Sequence, residues 1–125
     1  MSTLADVLVA LIALLHVYIL VLEMFLWRTP RVRASFGLTP ELAEATAVMA
    51  GNQGLYNGFL AAGLFWGLLA EDPVGRQVTV FFLLCVAVAA LGRMLQVHVQ
   101  HEVARGRMAG VGRDVRDRRE VLEAV

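Results

Sequence analysis

Apolar residues dominate three blocks of this chain, at 4–27, 49–70 and 78–91, with polar residues gathered between and after them. A helix needs roughly 20 apolar residues to cross the hydrocarbon core of a bilayer. The first block is long enough. A cleaved signal would start with basic residues and end at small ones. Here Asp6 stands near the start and Glu23-Met24-Phe25-Leu26-Trp27 at the end, which predicts a retained helix. The third block reaches spanning length if it runs over 76–97, with Arg93 snorkelling to the interface.

The connections carry their own signals. Residues 28–48 open with Arg28, Arg31 and Arg33, and Pro30 stops the first helix. Thr39, Pro40 and Glu41 then read as an N-cap, a first helical residue and an acidic first turn. This new helix either lies in the interface or runs straight into the second block. The turn Glu71-Asp72-Pro73 is acidic where the earlier loop is basic. Basic loops favour the cytoplasmic side. The expected topology is a multi-pass cell-membrane protein with its N-terminus outside and loop 28–48 cytoplasmic.

Polar groups inside apolar blocks are the candidate chemistry. In residues 51–58 stand Asn52, Gln53, Tyr56 and Asn57, which on a helix share a face roughly 140° wide. Gly63 and Gly67 continue that face, while Gly54 and Gly58 point to nearly the opposite side. Both pairs have the G-x-x-x-G spacing that lets backbones approach closely, so they are candidate packing faces, including for a homo-oligomer. On the first helix, His16 and Glu23 fall within about 20° of each other, and Trp27 extends the stripe. An ionisable group at such depth costs about 3 kcal/mol on insertion scales, so the stripe should face protein or water.

Composition sharpens this picture. The chain is 58% hydrophobic and 18% charged, with mean hydropathy +0.66. Its 125 residues allow one domain at most. Eleven basic residues, all Arg, balance eleven acidic ones, so nothing points to nucleic acid. The single Cys85 forms no intrachain disulfide and reads as a small core residue. No nucleotide loop, nucleophile elbow, paired-cysteine motif or H-E-x-x-H helix occurs, and no cofactor is implied. His98, His101 and Glu102 have ligand-like spacing but no further ligand, so no metal is assigned.

Three motifs stand in order: Leu22-Glu23-Met24-Phe25-Leu26-Trp27 before Thr29-Pro30, then residues 36–41, then Asn52-Gln53-Gly54-Leu55-Tyr56-Asn57-Gly58-Phe59. They resemble the "domain of unknown function 1304" family of small integral membrane proteins over about residues 4–90. The resemblance implies a membrane-embedded bundle of four helices and supplies no activity. After about residue 90 the chain departs from that pattern. Residues 93–125 hold seven Arg and five acidic residues and no second apolar run. Two readings follow: a frameshift near codon 90, or a genuine cytoplasmic tail.

The expectation is an all-α integral membrane helical bundle, with spans at about 4–27, 49–70 and 76–97 in a domain of residues 1–92. The family's fourth helix is absent, and an irregular or partly helical Arg-rich tail follows at 93–125. For function, His16, Glu23, Trp27, Asn52, Gln53, Tyr56 and Asn57 form a candidate site for binding or transporting a small polar solute or a proton. In the alternative, the same groups are interhelical glue in an accessory subunit with a protein partner. An intramembrane enzyme using Glu23 and His16 ranks last, because two helical turns, about 10 Å, separate them. Apart from such a partner, the lipid bilayer is the expected surrounding.

Overall fold

The computed structural model describes the backbone over residues 2–123 and side chains over residues 2–107. The described residues form four helices and no strand: α1 (Thr3–Met24), α2 (Pro30–Phe36), α3 (Pro40–Leu69) and α4 (Val74–Glu123). Contacts divide the chain into two units, Met1–Val86 and Ala87–Val125.

The helix starts are written in short-range chemistry. Ser2, Thr29 and Thr39 each cap a helix, accepting a backbone N–H three residues on. Pro30 and Pro40 occupy first helical positions, where a missing N–H costs nothing. Pro30 therefore opens a helix of its own, and it is not the residue that ends the run from α1. That run stops early, at Met24. The Thr29 hydroxyl and N–H both donate to the Leu26 carbonyl, at 2.7 and 2.9 Å, closing a turn over residues 26–29. Trp27 consequently lies in the turn, not on the stripe expected for it in the first span.

Gly37 ends α2 in the left-handed region at φ 64°. There the Leu38 N–H reaches the Arg33 carbonyl at 2.9 Å. Helix α3 then runs unbroken from Pro40, nine residues ahead of the apolar block, because no proline interrupts it. At its start, Glu41 accepts bonds from its own backbone N–H and from Thr39. With Arg33 nearby, these hold its carboxyl below the ordinary glutamate value. Asp72 accepts from the Arg76 N–H at 3.3 Å in the first turn of α4.

Helix α1 packs along α3 as the principal pair. Val9, Ala13 and Leu64 form the buried centre, with Ile12, Phe65, Leu68, Phe82 and Leu83 around it. A Cβ added at Gly54 would meet Met24, Glu23 and the Leu20 carbonyl. One at Gly58 would meet Leu20. On the other side, Gly63 lies against the Phe82 ring and Gly67 against Thr79. Both glycine pairs are thus engaged within one chain, the first by α1 and the second by the opening turns of α4. Away from α3, α1 exposes Leu4, Leu8, Leu11, Leu15 and Tyr18, each more than half accessible.

Two described helical segments, Thr3–Met24 and Val74–Arg107, are long and apolar enough to cross a membrane. Helix α3 has the length but falls short in hydropathy, because Asn52, Gln53, Tyr56 and Asn57 dilute its apolar run. The tail expected to be irregular or partly helical carries regular helix backbone to Glu123. The physical reason is again in the sequence: no proline follows Pro73, and Ala, Arg, Leu and Glu sustain helix. Within the second unit, side chains 87–107 are exposed and Arg105 pairs with Glu102 at 2.8 Å. The charge pattern of 111–125 lies outside the described side chains.

Candidate functional site

The structure divides the sequence-predicted polar residues into three groups. His16 is buried on α1, and its Nδ1 stands 2.8 Å from the Ile12 carbonyl one turn back. A carbonyl only accepts, so Nδ1 is the donor in this contact. Asn52, Gln53 and Tyr56 lie exposed on α3. Only Asn57 is drawn into a bond between helices: its Nδ2 donates to Glu23 Oε2 at 3.0 Å and to the Gln53 carbonyl at 3.0 Å.

The cause of this division is the small-residue stripe of α3. Ala43, Ala50, Gly54 and Ala61 are buried, and they fall within about 40° of one another on the helix. Helix α1 settles on the Gly54 and Gly58 side of α3, which brings Glu23 alongside. Asn57, at the edge of the polar face nearest that stripe, can reach it. Asn52 and Tyr56, further round, cannot.

Beyond Glu23, two more side chains reach from the end of the α1 segment to α3. Trp27 Nε1 donates to Thr46 Oγ1 at 3.1 Å, and the hydroxyl passes its own proton to the Leu42 carbonyl at 2.7 Å. The indole ring also packs on Phe36 of α2, at 5.2 Å between centroids and a 51° tilt. Arg28 holds Glu44 through two contacts, Nε to Oε2 at 2.8 Å and Nη2 to Oε1 at 3.0 Å. Both partners are well exposed, so this pair contributes at most about 1 kcal/mol.

These residues border one open groove of about 220 Å³, lined by Glu23, Met24, Phe25, Trp27, Arg28, Ala47 and Val48. It presents a carboxylate, two aromatic rings and a guanidinium within one wall, with small and apolar groups of α3 opposite. Such a surface can hold a small solute by charge and by ring contact. Among the described residues, no cluster of three or more His, Cys, Asp or Glu side chains is arranged to hold a metal.

Glu44, Thr46, Ala47 and Val48, with Met24 and Phe25 of the lining, are the participants that sequence reasoning did not assign to the site, and Arg28 was read only as a loop charge. The partners of Glu44 and Thr46 lie 16 and 19 residues away, across the turn and α2. The one signal for them was the Thr39-Pro40 cap. A helix starting there and running unbroken carries residues 44–48 one to two turns above Gly51, beside the end of α1.

No curated protein and no solved structure matches the chain. A family model described as "Protein of unknown function (DUF1304)" matches residues 10–108. The match passes the point near residue 90 where the motif resemblance was expected to end. It also covers Glu23, Trp27, Asn57 and every residue lining the groove. On that coverage of most of its length, the chain belongs to the DUF1304 family of proteins of unknown function.

Proposed function

We propose that this chain is a multi-pass membrane protein that binds a small polar solute in the groove at the end of α1. Helix α1, the apolar part of α3 and α4 are its three spans. The Arg-bearing segment 28–33 faces the cytoplasm and the Glu71-Asp72 turn the outside. The observation that carries the reading is the anchoring of the groove wall. Glu23, Trp27 and Arg28 are each tied to a different residue of α3, namely Asn57, Thr46 and Glu44. Side chains fixed before a ligand arrives lose less freedom on binding it.

The test uses the two tryptophans. Trp66 lies outside the groove, so Trp66→Phe leaves Trp27 as the sole indole reporter. This protein, in maltoside micelles, is titrated with glycine, choline, lactate and glucose across a pH series. At least one probe should give a saturable change in Trp27 emission that varies with pH. Glu23→Gln should remove the pH dependence while helicity is retained. An unchanged pH profile in that variant counts against the site.

A second reading is favoured by the same bonds: each crosses to α3, as interhelical glue in an accessory subunit would. Such bonds average about 0.6 kcal/mol in membranes, and several together fix one arrangement. It predicts a protein partner retained in mild detergent and lost on Asn52→Leu with Asn57→Leu. A folded, partner-free protein throughout would sink it.

A further inference from the structure

Helix α3 keeps one face open in the first unit. Ala45, Met49, Asn52, Tyr56 and Phe59 are all exposed, and Met49, Tyr56 and Phe59 are each more than half accessible. The five recur at spacings of four, three, four and three residues. This is the repeat by which one helix sets knobs into the holes of another, and it holds the five within about 80° of the helix. Four residues further on, the stripe reaches Gly63, which already lies against the Phe82 ring. The face is thus a helix-packing seam, occupied at Gly63 and open over residues 45–59.

We infer that a second copy of this chain occupies the open part, with the two α3 helices parallel about a two-fold axis. The parallel sense rests on the multi-pass reading, since copies of one topology in a bilayer are related by an axis along its normal.

The chemistry of the seam selects a like chain. Beside such an axis each residue meets its own counterpart, so the face must be compatible with itself. Residues 45–59 include no charged side chain, so pairing brings no like charges together. Asn52 stands at the middle of the seam with a donor and an acceptor in one amide, and two copies can bond each other there. Among the described residues, nothing bonds the side chains of Asn52, Gln53 or Tyr56. A lone Asn in an otherwise apolar seam fixes the register and the number of helices. The small-residue faces are already filled: α1 lies against Gly54 and Gly58, and Thr79 against Gly67. That leaves the seam for a homo-oligomer.

The experiment is disulfide scanning of the full chain in host membranes, in a Cys85→Ser background. Met49→Cys, Asn52→Cys, Tyr56→Cys and Phe59→Cys should each form a dimer on a non-reducing gel. Leu11→Cys and Leu15→Cys, on the exposed face of α1, should stay monomeric. In maltoside micelles, energy transfer between labelled copies measures the pairing itself. Asn52→Leu should weaken it about threefold or more, and Asn52→Gln should keep most of it. Circular dichroism of each variant separates lost pairing from lost helix.

Cross-links as frequent on α1 as on the seam overturn the pairing, because they report chance collision. Seam cysteines joined to a chain of another mass overturn the choice of a second copy, and monomers throughout overturn both. Alkaline carbonate tests the multi-pass reading separately. Release of the chain from the vesicles overturns that reading, while dimers confined to the seam still uphold the pairing.

Discussion

Gly67 makes the sharpest test of how the helices are held. An added Cβ there would meet the Thr79 hydroxyl, its backbone N at 2.9 Å and its Cα at 3.1 Å. Two of these atoms belong to the backbone of α4 and cannot rotate away, so Gly67→Ala must push the helices apart. Overpacking of this kind costs about 1–3 kcal/mol. Against it stands about 0.5–1 kcal/mol gained when Ala replaces Gly in a helix. The net expectation is a loss of about 1–2 kcal/mol.

Three other glycines of α3, Gly54, Gly58 and Gly51, should fall in order below it. At Gly54 the flexible Met24 Cγ comes within 2.6 Å, but Glu23 Cβ at 3.1 Å and the Leu20 carbonyl at 3.2 Å yield less easily. At Gly58 only the tip of Leu20 stands in the way, so Gly58→Ala should be nearly neutral. Nothing lies within 4 Å at Gly51, and Gly51→Ala should stabilise. Unfolding in mixed maltoside and dodecyl sulfate micelles, followed by circular dichroism, ranks the four. Alkylation of the single Cys85, which is half-buried, gives an independent rate of opening. If Gly67→Ala proves as stable as Gly51→Ala, the close approach of α3 and α4 is refuted. If Gly54→Ala changes only oligomer size and not unfolding, that glycine serves a second copy and not α1.

Thr79 is 1% exposed, and its hydroxyl has no partner among the described residues. Thr79→Val keeps the shape and removes an unsatisfied polar atom, so unfolding should shift toward stability by about 1 kcal/mol; a loss would reveal a partner for the hydroxyl. Thr39→Ala should cost about 0.5–2 kcal/mol through the lost cap of α3, measured by the same unfolding assay. Because the folded state depresses the Glu41 carboxyl, its contribution is complete above the usual value of about 4.3 and disappears as pH falls through the lower folded value. Side-chain carboxyl NMR should place that midpoint below the usual value and move it upward in Thr39→Ala. A midpoint indifferent to Thr39 would refute the link.

How far the sequence could be read depended on whether a signal was local. Thr39, Pro40 and Glu41 mark the start of α3 because capping acts over three residues, and the start is where they put it. Glu23 and Asn57 stand out as polar groups in apolar helices, and they meet. Grouping Asn57 with Asn52 and Tyr56 followed from a helical wheel that knows angles but not neighbours. The neighbour is chosen by the smallness of Ala50, Gly54 and Ala61, so α1 takes the small face and leaves most of the polar one exposed. Trp27 was placed on α1 by periodicity alone. The Thr29 turn, set by bonds to a single carbonyl, moved it off the helix and into the groove. Thr46 and Glu44 were invisible because their partners depend on that turn and on α2 together.

Helix α2 then takes on the character of a gauge. Seven helical residues measure about 10 Å, and two packed helices stand about 8–10 Å apart. A slack loop of equal residue count would let the end of α1 wander relative to α3. A rod stopped by Thr29-Pro30 at one end and Gly37 at the other has a fixed length between the end of the α1 segment and the start of α3. The groove wall is then backed by the connection, whose Phe36 rests against the Trp27 ring. A single residue inserted between Pro30 and Phe36 would turn Phe36 away from the Trp27 ring and so reach the groove wall from outside it.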